Sequence, residues 1–320
     1  MSYRVTMVCP QFKEIELDKG VFIISIDLEL AWGFNYELLK GSRTAEKYLK
    51  IIKERSRRNV RKLLELSKKF KVPFTWGIVG HLFLSSCDCS EKGLPHPAMP
   101  RPNVEVNKDW YSNDPCTDVN SDPLWYGSDI IKEILNSNIE HEIACHSFSH
   151  VDFSKCSREI AQSEIRKCKE VMKDFGVKPR SFIFPKNRIN HLDILKQEDF
   201  KVFRYKIKQS SSFLLSTLPE TTSTLTASHI QDSGLVGIPS YLLFQSPHAA
   251  VSLRLMVASY WGLERAVAEK EIFHITMHDY LETDYLFGAL SKVLLYATKL
   301  RNKGKLDAIT MYDYYEKLIL

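Results

Sequence analysis

The sequence predicts an α/β fold built on a parallel β-sheet, with about eight candidate strands, which are enough for a barrel. Strand-like apolar runs alternate with amphipathic helices along nearly the whole chain of 320 residues. We find no internal repeat and no change in composition that would mark a domain boundary. We therefore predict a single domain over residues 1–320, enlarged by a long loop at about residues 81–126. The aromatic residues of that loop favour an ordered structure over a flexible linker.

The first predicted strand, Val21–Asp27, is a continuous apolar run that ends in polar residues. Such a run is typical of a strand buried on both faces, as in a parallel sheet. Seven further short runs predict strands at Phe74–Val79, Glu142–Cys145, Ser181–Phe184, Lys201–Arg204, Leu235–Pro239, Ile272–Met277 and Asp307–Thr310.

Helices are predicted between these strands. Arg43–Lys71 is amphipathic and stops before Pro73, which cannot continue a helix. Ser157 is a candidate N-cap for a helix whose apolar stripe ends before Gly176. The remaining helices are predicted at Asp129–Leu135, Ala249–Lys270, Tyr285–Arg301 and after Thr310, whereas the Ser- and Thr-rich stretch Ser210–Ser233 is assigned to no element.

The composition is that of an ordinary globular protein, with 44% hydrophobic and 26% charged residues. It excludes collagen-like, low-complexity and wholly disordered classes. The net charge is +5, and the basic residues gather between Lys40 and Lys71. This cluster is typical of a solvated helix face, with an anionic partner such as a phosphate-bearing substrate or a membrane surface as the alternative. We predict no nucleic-acid partner and at most a peripheral membrane contact.

The seven cysteines are an odd number in a long chain, which argues against a disulfide framework. Cys87 and Cys89 are separated by one residue, not by the two of common zinc knuckles, so a structural zinc is not predicted there. The N-terminal residues contain no apolar stretch of signal-peptide length, and no apolar run reaches the roughly 18 residues of a membrane span. These features lead us to expect a reduced, cytoplasmic protein.

Functional groups of such barrels gather at the C-terminal ends of the strands. Asp27 and Glu29 follow the first strand, and a sharp turn would bring both carboxylates into one pocket. His146 and His150 follow Glu142–Cys145, at a spacing that places two imidazoles on one face of a helical turn. Such a pair can bind one metal ion, although strand-end carboxylates are also common as helix caps and histidine pairs as solvated side chains.

A third strand end carries His278 and Asp279, a candidate general acid with a neighbouring carboxylate. His274, inside the same strand, is interpreted as a core or pocket-wall residue. One glutamate and two histidines around a cation would leave coordination positions open for water and substrate, which is the pattern of catalytic metal sites.

In their order and spacing these residues resemble the motifs of the polysaccharide deacetylase family, which has the NodB homology domain. Asp27 and Glu29 are similar to its acidic first motif, where the carboxylates are usually adjacent. The segment His146–His150 matches the second motif, H-[ST]-x-x-H, and His278-Asp279 resembles the late histidine motif.

The third family motif, R-x-P-[YF], is matched poorly by Ile183–Lys186. Isoleucine stands where the family has an arginine that orients the catalytic aspartate. Arg188 and Arg204 are the candidates to replace it.

The resemblance spans about Val21 to Thr310 and implies a distorted (β/α) barrel of about seven strands. It implies hydrolysis of an N-acyl group, most simply N-acetyl, from an amino sugar in glycan or polysaccharide biosynthesis. A divalent ion, Zn²⁺ with Co²⁺, Ni²⁺ or Mn²⁺ as alternatives, would be held by Glu29, His146 and His150. The resemblance assigns the base to Asp27, with exchange of roles between Asp27 and Glu29 as an open alternative.

In the same scheme His278 is the acid that protonates the leaving amine, and Asp279 keeps it charged. Trp32, Trp125 and Tyr126 are predicted as a wall that packs against the sugar, and Asn187 as a substrate-binding residue. Their alternative role is core or loop anchoring.

Two other functions stay open at this point. The departures at the first and third motifs leave room for a different amide hydrolase, such as a deformylase or a cyclic amide hydrolase. The missing motif arginine leaves room for a non-catalytic carbohydrate-binding protein. A cytoplasmic location would favour a nucleotide- or lipid-linked sugar over a cell-wall polymer.

Overall fold

The computed structural model describes residues 17–103, 108–206, 229–230, 234–246, 248–280 and 283–319. The ten strands in this part of the chain form one sheet. In chain order they are β1 (Gly20–Leu28), β2 (Thr75–Ile78), β3 (Glu142–Cys145), β4 (Ser181–Ile183), β5 (Val202–Lys206), β6 (His229–Ile230), β7 (Val236–Ser240), β8 (Leu242–Leu243), β9 (Ile272–His278) and β10 (Leu306–Ala308).

Eight parallel strands form a nearly closed barrel in the order β7-β5-β4-β3-β2-β1-β9-β8. Only Tyr241 separates β7 from β8 along the chain, so the two ends of the ladder lie next to each other. The antiparallel β6 adds to β7, and β10 pairs with the first residues of β1. The predicted α/β barrel is confirmed, with eight strands in the ring rather than about seven. The extra strand, β8, has only two residues and follows β7 after a single residue, so the two were not predicted as separate strands.

The strand β1 lies inside the sheet and all nine of its residues are buried. Because side chains alternate along a strand, Phe22 and Ile24 pack among the residues that face the helices. Val21 and Ile23 instead join a separate apolar cluster with residues of β3, β4, β5, β7 and β9, which fills the barrel interior. The same alternation places Asp27 on the interior side.

Eight helices surround the sheet in the described residues: α1 (Asn35–Leu39), α2 (Arg43–Phe70), α3 (Ser128–Leu135), α4 (Arg158–Lys173), α5 (Leu192–Gln197), α6 (Ala249–Glu269), α7 (Asp284–Asn302) and α8 (Met311–Ile319). The side chain of Ser157 accepts a hydrogen bond from the backbone N–H of Ile160, so it is the N-cap of α4 as predicted. Lys71 adopts a left-handed conformation and ends α2 before Pro73. The short elements α1, α5, β6 and β8 were not predicted, and most of Ser210–Ser233 lies outside the described residues.

Basic residues of α2 pair with acidic residues of its helical neighbours. Arg57 forms an ion pair with Asp129 of α3, at 2.8 Å, and Lys62 one with Asp284 of α7, at 2.6 Å. Part of the positive charge between Lys40 and Lys71 is therefore neutralised within the fold. None of the described helices combines the length and the apolar character needed to cross a membrane.

The segment between β2 and α3 is the predicted long loop. It is folded against the barrel, since the side chains of Trp110, Tyr111 and Tyr126 are buried. A disulfide bond joins Cys89 and Cys116, whose Cα atoms are 6.4 Å apart. The expectation of fully reduced cysteines is thus wrong for this pair, because folding of the loop brings together two residues that are 27 positions apart.

Candidate active site

The parallel register brings three strand ends to one edge of the barrel. Asp27 of β1 pairs with Gly77 of β2 on one side and with His278 of β9 on the other. Asp27 is 3% exposed, and the Nε2 atom of His278 lies 4.0 Å from its Oδ2 atom. The two residues predicted as base and acid are therefore adjacent.

Glu29 reaches the same place through a tight turn after β1. Leu30 has a positive φ of 47°, and residues Leu30–Phe34 form a 3-10 turn. The Oε1 atom of Glu29 lies 3.8 Å from Nε2 of His278. A side chain at Gly33 would place its Cβ atom 2.1 Å from Oε2 of Glu29, so the carboxylate would have to move if this residue were not glycine. The sharp turn that both carboxylates need is present.

Glu29, His146 and His150 form one buried group. The Nε2 atoms of His146 and His150 each lie 3.1 Å from Oε1 of Glu29. The Nδ1 atom of His146 is 2.7 Å from the carbonyl oxygen of Ile183, so Nδ1–H donates there and Nε2 is the nitrogen that faces Glu29.

The segment that carries both histidines is not the predicted helical turn. Ser147 and His150 have positive φ angles of 58° and 60°, and the segment between them is irregular. Glu164 of α4 holds this conformation, since its carboxylate accepts hydrogen bonds from the backbone N–H and the hydroxyl of Ser149, at 2.7 and 2.6 Å. Trp110 donates to the same hydroxyl at 2.8 Å. The two imidazoles thus meet through backbone geometry rather than helical periodicity.

Arg204 contacts Asp27 across the barrel interior. Its two terminal nitrogens donate to the two carboxylate oxygens of Asp27, each at 2.6 Å, although β5 and β1 are not neighbours in the sheet. Burial alone would raise the pKa of Asp27, but the charge and hydrogen bonds of Arg204 outweigh burial and lower it. Of the two arginines left open by the sequence, Arg204 is the one beside Asp27, while Arg188 pairs with Asp152 in an exposed position.

Behind this pair, Ser25 and His274 support the guanidinium. The Nδ1 atom of His274 lies 3.1 Å from the carbonyl oxygen of Pro239, and its Nε2 atom lies 2.8 Å from the Ser25 hydroxyl. The hydroxyl oxygen also accepts from Arg204 at 3.0 Å. Burial lowers the pKa of His274 to about 3, so it stays neutral. It is a buried wall residue, as interpreted from the sequence.

His278 is oriented by Gln245, not by Asp279. Its Nδ1 atom is 2.7 Å from the side-chain oxygen of Gln245, which follows β8. Asp279 is fully buried and its Oδ1 atom accepts a hydrogen bond from the backbone N–H of Glu29, at 3.4 Å. The hydrogen bond that orients His278 thus comes from Gln245, because successive side chains leave a strand end in opposite directions. Support of the charge on His278 by Asp279 stays a prediction.

The three aromatic residues predicted as a sugar-facing wall are buried. Trp32, Trp125 and Tyr126 are 1%, 8% and 0% exposed, and a ring that packs against a sugar must face the open site. The indole nitrogen of Trp32 donates to the carbonyl oxygen of Trp125 at 3.2 Å, and its ring packs on His81. The three rings anchor the long loop, the alternative role given from the sequence. Asn187 lies in the turn after β4 with a positive φ of 52°, and its role in substrate binding stays a prediction.

Glu164, Gln245 and Ser25 have no local signal in the sequence that marks their roles. Glu164 lies in the middle of α4, where a glutamate is an ordinary solvent-facing residue, and only its burial marks it out. Gln245 follows a strand of two residues, and Ser25 lies within an apolar run. In each case the role depends on a neighbour distant in the chain.

The charge pattern of the Glu29 group is suited to a cation. Burial would raise the pKa of Glu29, but the charge of His150 and the hydrogen bonds of both histidines hold the pKa well below its usual value. The neighbouring imidazoles thus stabilise the ionised form of the buried carboxylate. The group offers two imidazole nitrogens and one carboxylate oxygen, all within 4.8 Å of one another. This is the donor set of a catalytic zinc site. These residues therefore fit a divalent metal ion.

Comparisons with known proteins agree with the motifs. The family model described as polysaccharide deacetylase matches residues 52–203, from within α2 to the start of β5. Residues 52–203 belong to the polysaccharide deacetylase family. The resemblance read from the motifs is thereby confirmed. The match contains His146 and His150 but not Asp27, Glu29 or His278, whose assignment rests on the geometry above.

One solved structure has the same fold. A candidate polysaccharide deacetylase from Mycobacterium smegmatis aligns with a TM-score of 0.63 and 14% identity, over 96% of this chain and 93% of that one. At this identity the similarity shows the fold alone. The peptidoglycan deacetylase PdaC from Bacillus subtilis aligns with a TM-score of 0.45 and 11% identity, over 94% of this chain and 93% of that one. A CE4-family pseudoenzyme from Bacillus anthracis aligns with a TM-score of 0.45 and 14% identity, over 92% of this chain and 65% of that one. No curated protein sequence matches the chain.

Proposed function

We propose that this protein is a metal-dependent hydrolase that removes the N-acetyl group from an amino sugar. The observation that carries the proposal is the convergence of Glu29, His146 and His150 beside Asp27 and His278 at one barrel edge. Membership of residues 52–203 in the polysaccharide deacetylase family supports a carbohydrate deacetylase.

The metal would be bound by Glu29, His146 and His150. Glu29 contacts both histidines, whereas Asp27 accepts hydrogen bonds from Arg204. These contacts favour Glu29 as the ligand and Asp27 as the base. Three protein ligands leave positions for water and substrate, as in catalytic sites. When bound, the ion supplies Lewis-acid chemistry, by polarising the amide carbonyl and acidifying water. We propose Zn²⁺, with Co²⁺, Ni²⁺ and Mn²⁺ as alternatives.

Asp27 would accept the proton of the attacking water. The bidentate contact with Arg204 fixes the plane of the carboxylate and keeps it ionised, so that a lone pair is available to the water. The water oxygen forms the new bond to the carbonyl carbon, and its proton goes to Asp27. A low pKa makes Asp27 a weak base, which is sufficient once the water is acidified.

His278 would protonate the leaving nitrogen. It is the most exposed member of the group, at 21% of its side chain, and therefore lies on the side from which a substrate arrives. With Nδ1–H donated to Gln245, a second proton on Nε2 points into the site beside Asp27 and Glu29. As the C–N bond breaks, that proton passes to the amine, and acetate and the free amino sugar leave.

Arg204 argues against the alternative of a protein that only binds sugar. Its contact with Asp27 supplies the guanidinium that the third motif lacks, which removes the main reason for a protein that only binds sugar. The basic residues of α2 that remain unpaired favour a substrate with phosphate, as in a nucleotide- or lipid-linked sugar.

The proposal is tested by acetate release from N-acetylated sugars, both free oligosaccharides and nucleotide-linked forms, with protein loaded in turn with Zn²⁺, Co²⁺ or Ni²⁺. We expect acetate release that a chelator abolishes and added metal restores. Matched N-formyl substrates separate a deacetylase from a deformylase. Sugar binding without release of acetate or formate by the metal-loaded protein would contradict the proposal.

A further inference from the structure

A second group of metal-binding side chains lies in the long loop after β2. It consists of His81, Cys87, His96 and Asp114, and we call it the loop cluster. The Nε2 atom of His81 lies 2.8 Å from Oδ2 of Asp114, 3.0 Å from Nε2 of His96 and 3.1 Å from Sγ of Cys87. The Nε2 atom of His96 lies 2.9 Å from the same Asp114 oxygen and 3.1 Å from the same sulfur. The Cys87 sulfur also contacts Asp114 Oδ2.

Hydrogen bonds alone cannot satisfy this arrangement. Each of the four atoms is a close neighbour of the other three, yet each carries at most one hydrogen, which can point at one partner only. If both imidazoles and the thiol donate to Asp114, three donor–donor contacts remain at about hydrogen-bond distance. Four lone pairs directed at one central cation remove this conflict.

The surroundings fix which atoms face the centre. The Nδ1 atom of His81 lies 3.2 Å from the carbonyl oxygen of Trp125, so Nδ1–H donates outward and Nε2 keeps its lone pair. The other oxygen of Asp114, Oδ1, accepts from the Tyr126 hydroxyl at 2.9 Å and from the Cys116 backbone N–H at 3.1 Å. Outer hydrogen bonds of this kind are the usual support of metal ligands.

The loop cluster is buried and separate from the barrel edge. His81 and His96 are 0% and 3% exposed, and Asp114 is 6% exposed. The rings of Tyr111 and Phe148 pack on His96. No residue is shared between the loop cluster and the Glu29 group.

We propose that Nε2 of His81, Sγ of Cys87, Nε2 of His96 and Oδ2 of Asp114 bind one Zn²⁺ ion as a structural site. Four protein ligands leave no position for a substrate, which is the pattern of structural rather than catalytic zinc. A thiolate with two imidazoles selects zinc over Mg²⁺ or Ca²⁺, which prefer oxygen ligands. The ion ties three separate parts of the loop to the end of β2.

The ligand thiolate gives a test that the barrel-edge site cannot mimic. Protein produced with Co²⁺ in place of Zn²⁺ is expected to show a thiolate-to-cobalt charge-transfer band, because the loop cluster contains a cysteine and the Glu29 group has only nitrogen and oxygen ligands. Cys87→Ser is expected to lose the band. Cys156→Ser, the matched control at another half-buried free cysteine, should keep it.

Metal content separates the two sites and needs no activity. Wild-type protein is expected to hold about two equivalents of zinc, and the His146→Ala/His150→Ala double variant about one. One equivalent in the wild type that disappears in the double variant would overturn the loop site and leave the proposed function intact. Equal content in both, with the cobalt band present, would refute the barrel-edge metal and support the loop site.

Should Cys87→Ser fail to fold, wild-type cobalt protein still decides the matter. Bound cobalt without a charge-transfer band, or mass spectrometry that finds Cys87 in a disulfide, would overturn the proposal.

Discussion

The Glu29 group and the loop cluster both gather histidines around a carboxylate, but they differ in the number of ligand atoms and in exposure. The Glu29 group offers three ligand atoms at a strand edge, next to an ionised aspartate and a partly exposed histidine. The loop cluster offers four ligand atoms in a buried pocket of aromatic rings. The number of ligands and the access to solvent, rather than the residue types, distinguish a site for chemistry from a site for folding.

Asp27 belongs to neither the Glu29 group nor the loop cluster, so its substitution tests the chemistry without removing a proposed metal ligand. Asp27→Asn keeps the shape of the side chain but removes the base, so we expect acetate release to fall about 10²- to 10⁴-fold. The zinc content and the cobalt charge-transfer band should not change. The exposed Asp174→Asn is the control, with activity expected at the wild-type level. Wild-type turnover by Asp27→Asn would remove Asp27 from the mechanism.

Arg204 tests whether the barrel edge depends on support from within the barrel. Arg204→Met leaves Asp27 buried without its partner, so the free energy of unfolding should fall by about 3–5 kcal/mol. Denaturant unfolding measures this change, and acetate release should fall with it. Arg188→Met, at the other candidate arginine, is expected to cost less than about 1 kcal/mol, because its ion pair is exposed. Similar losses from both variants would contradict the assignment.

Gly33 tests how tightly Glu29 is held. In Gly33→Ala the new methyl group meets Oε2 of Glu29, which must move, at a cost of about 1–3 kcal/mol. The expected result is weaker metal binding at the barrel edge and reduced acetate release, with the cobalt band of the loop cluster retained. Gly288→Ala is the matched control, since its added Cβ meets no atom within 4 Å. Unchanged metal affinity in Gly33→Ala would show that Glu29 is not a ligand.

Tyr126 tests how the loop cluster is supported. Tyr126→Phe removes the hydrogen bond to Oδ1 of Asp114, and zinc should leave the loop cluster about tenfold more readily in competition with a chelator. The barrel-edge metal should be retained as in the wild type. Tyr285→Phe, at an exposed tyrosine, serves as the control. A loss of sugar affinity with unaltered zinc retention would instead restore Tyr126 to the predicted sugar-facing wall.

The sequence could predict the barrel and the three strand ends because both have local patterns. Continuous apolar runs mark strands such as β1 and β9, and Asp27, His146 and His278 stand directly after them. The pairing of Arg204 with Asp27 could not be chosen over Arg188, because it joins strands that are distant in both the chain and the sheet.

The loop cluster was missed for the opposite reason. Its ligands are separated along the chain by 6, 9 and 18 residues, without the short repeat of a zinc knuckle. In the sequence the nearest cysteine to Cys87 is Cys89, but in the structure Cys89 is paired with Cys116. A loop with no regular period gives no local rule for which side chains will meet, so the convergence is visible only in the fold.

One backbone oxygen joins the two regions. The carbonyl of Trp125 accepts from Nδ1 of His81 in the loop cluster and from the indole of Trp32, three residues after Glu29 in the turn that positions this carboxylate. The ring of Trp32 also lies 4.4 Å from that of His81. The long loop therefore stabilises the tight turn after β1. We therefore expect folding of the long loop to affect how firmly the barrel edge binds a cation.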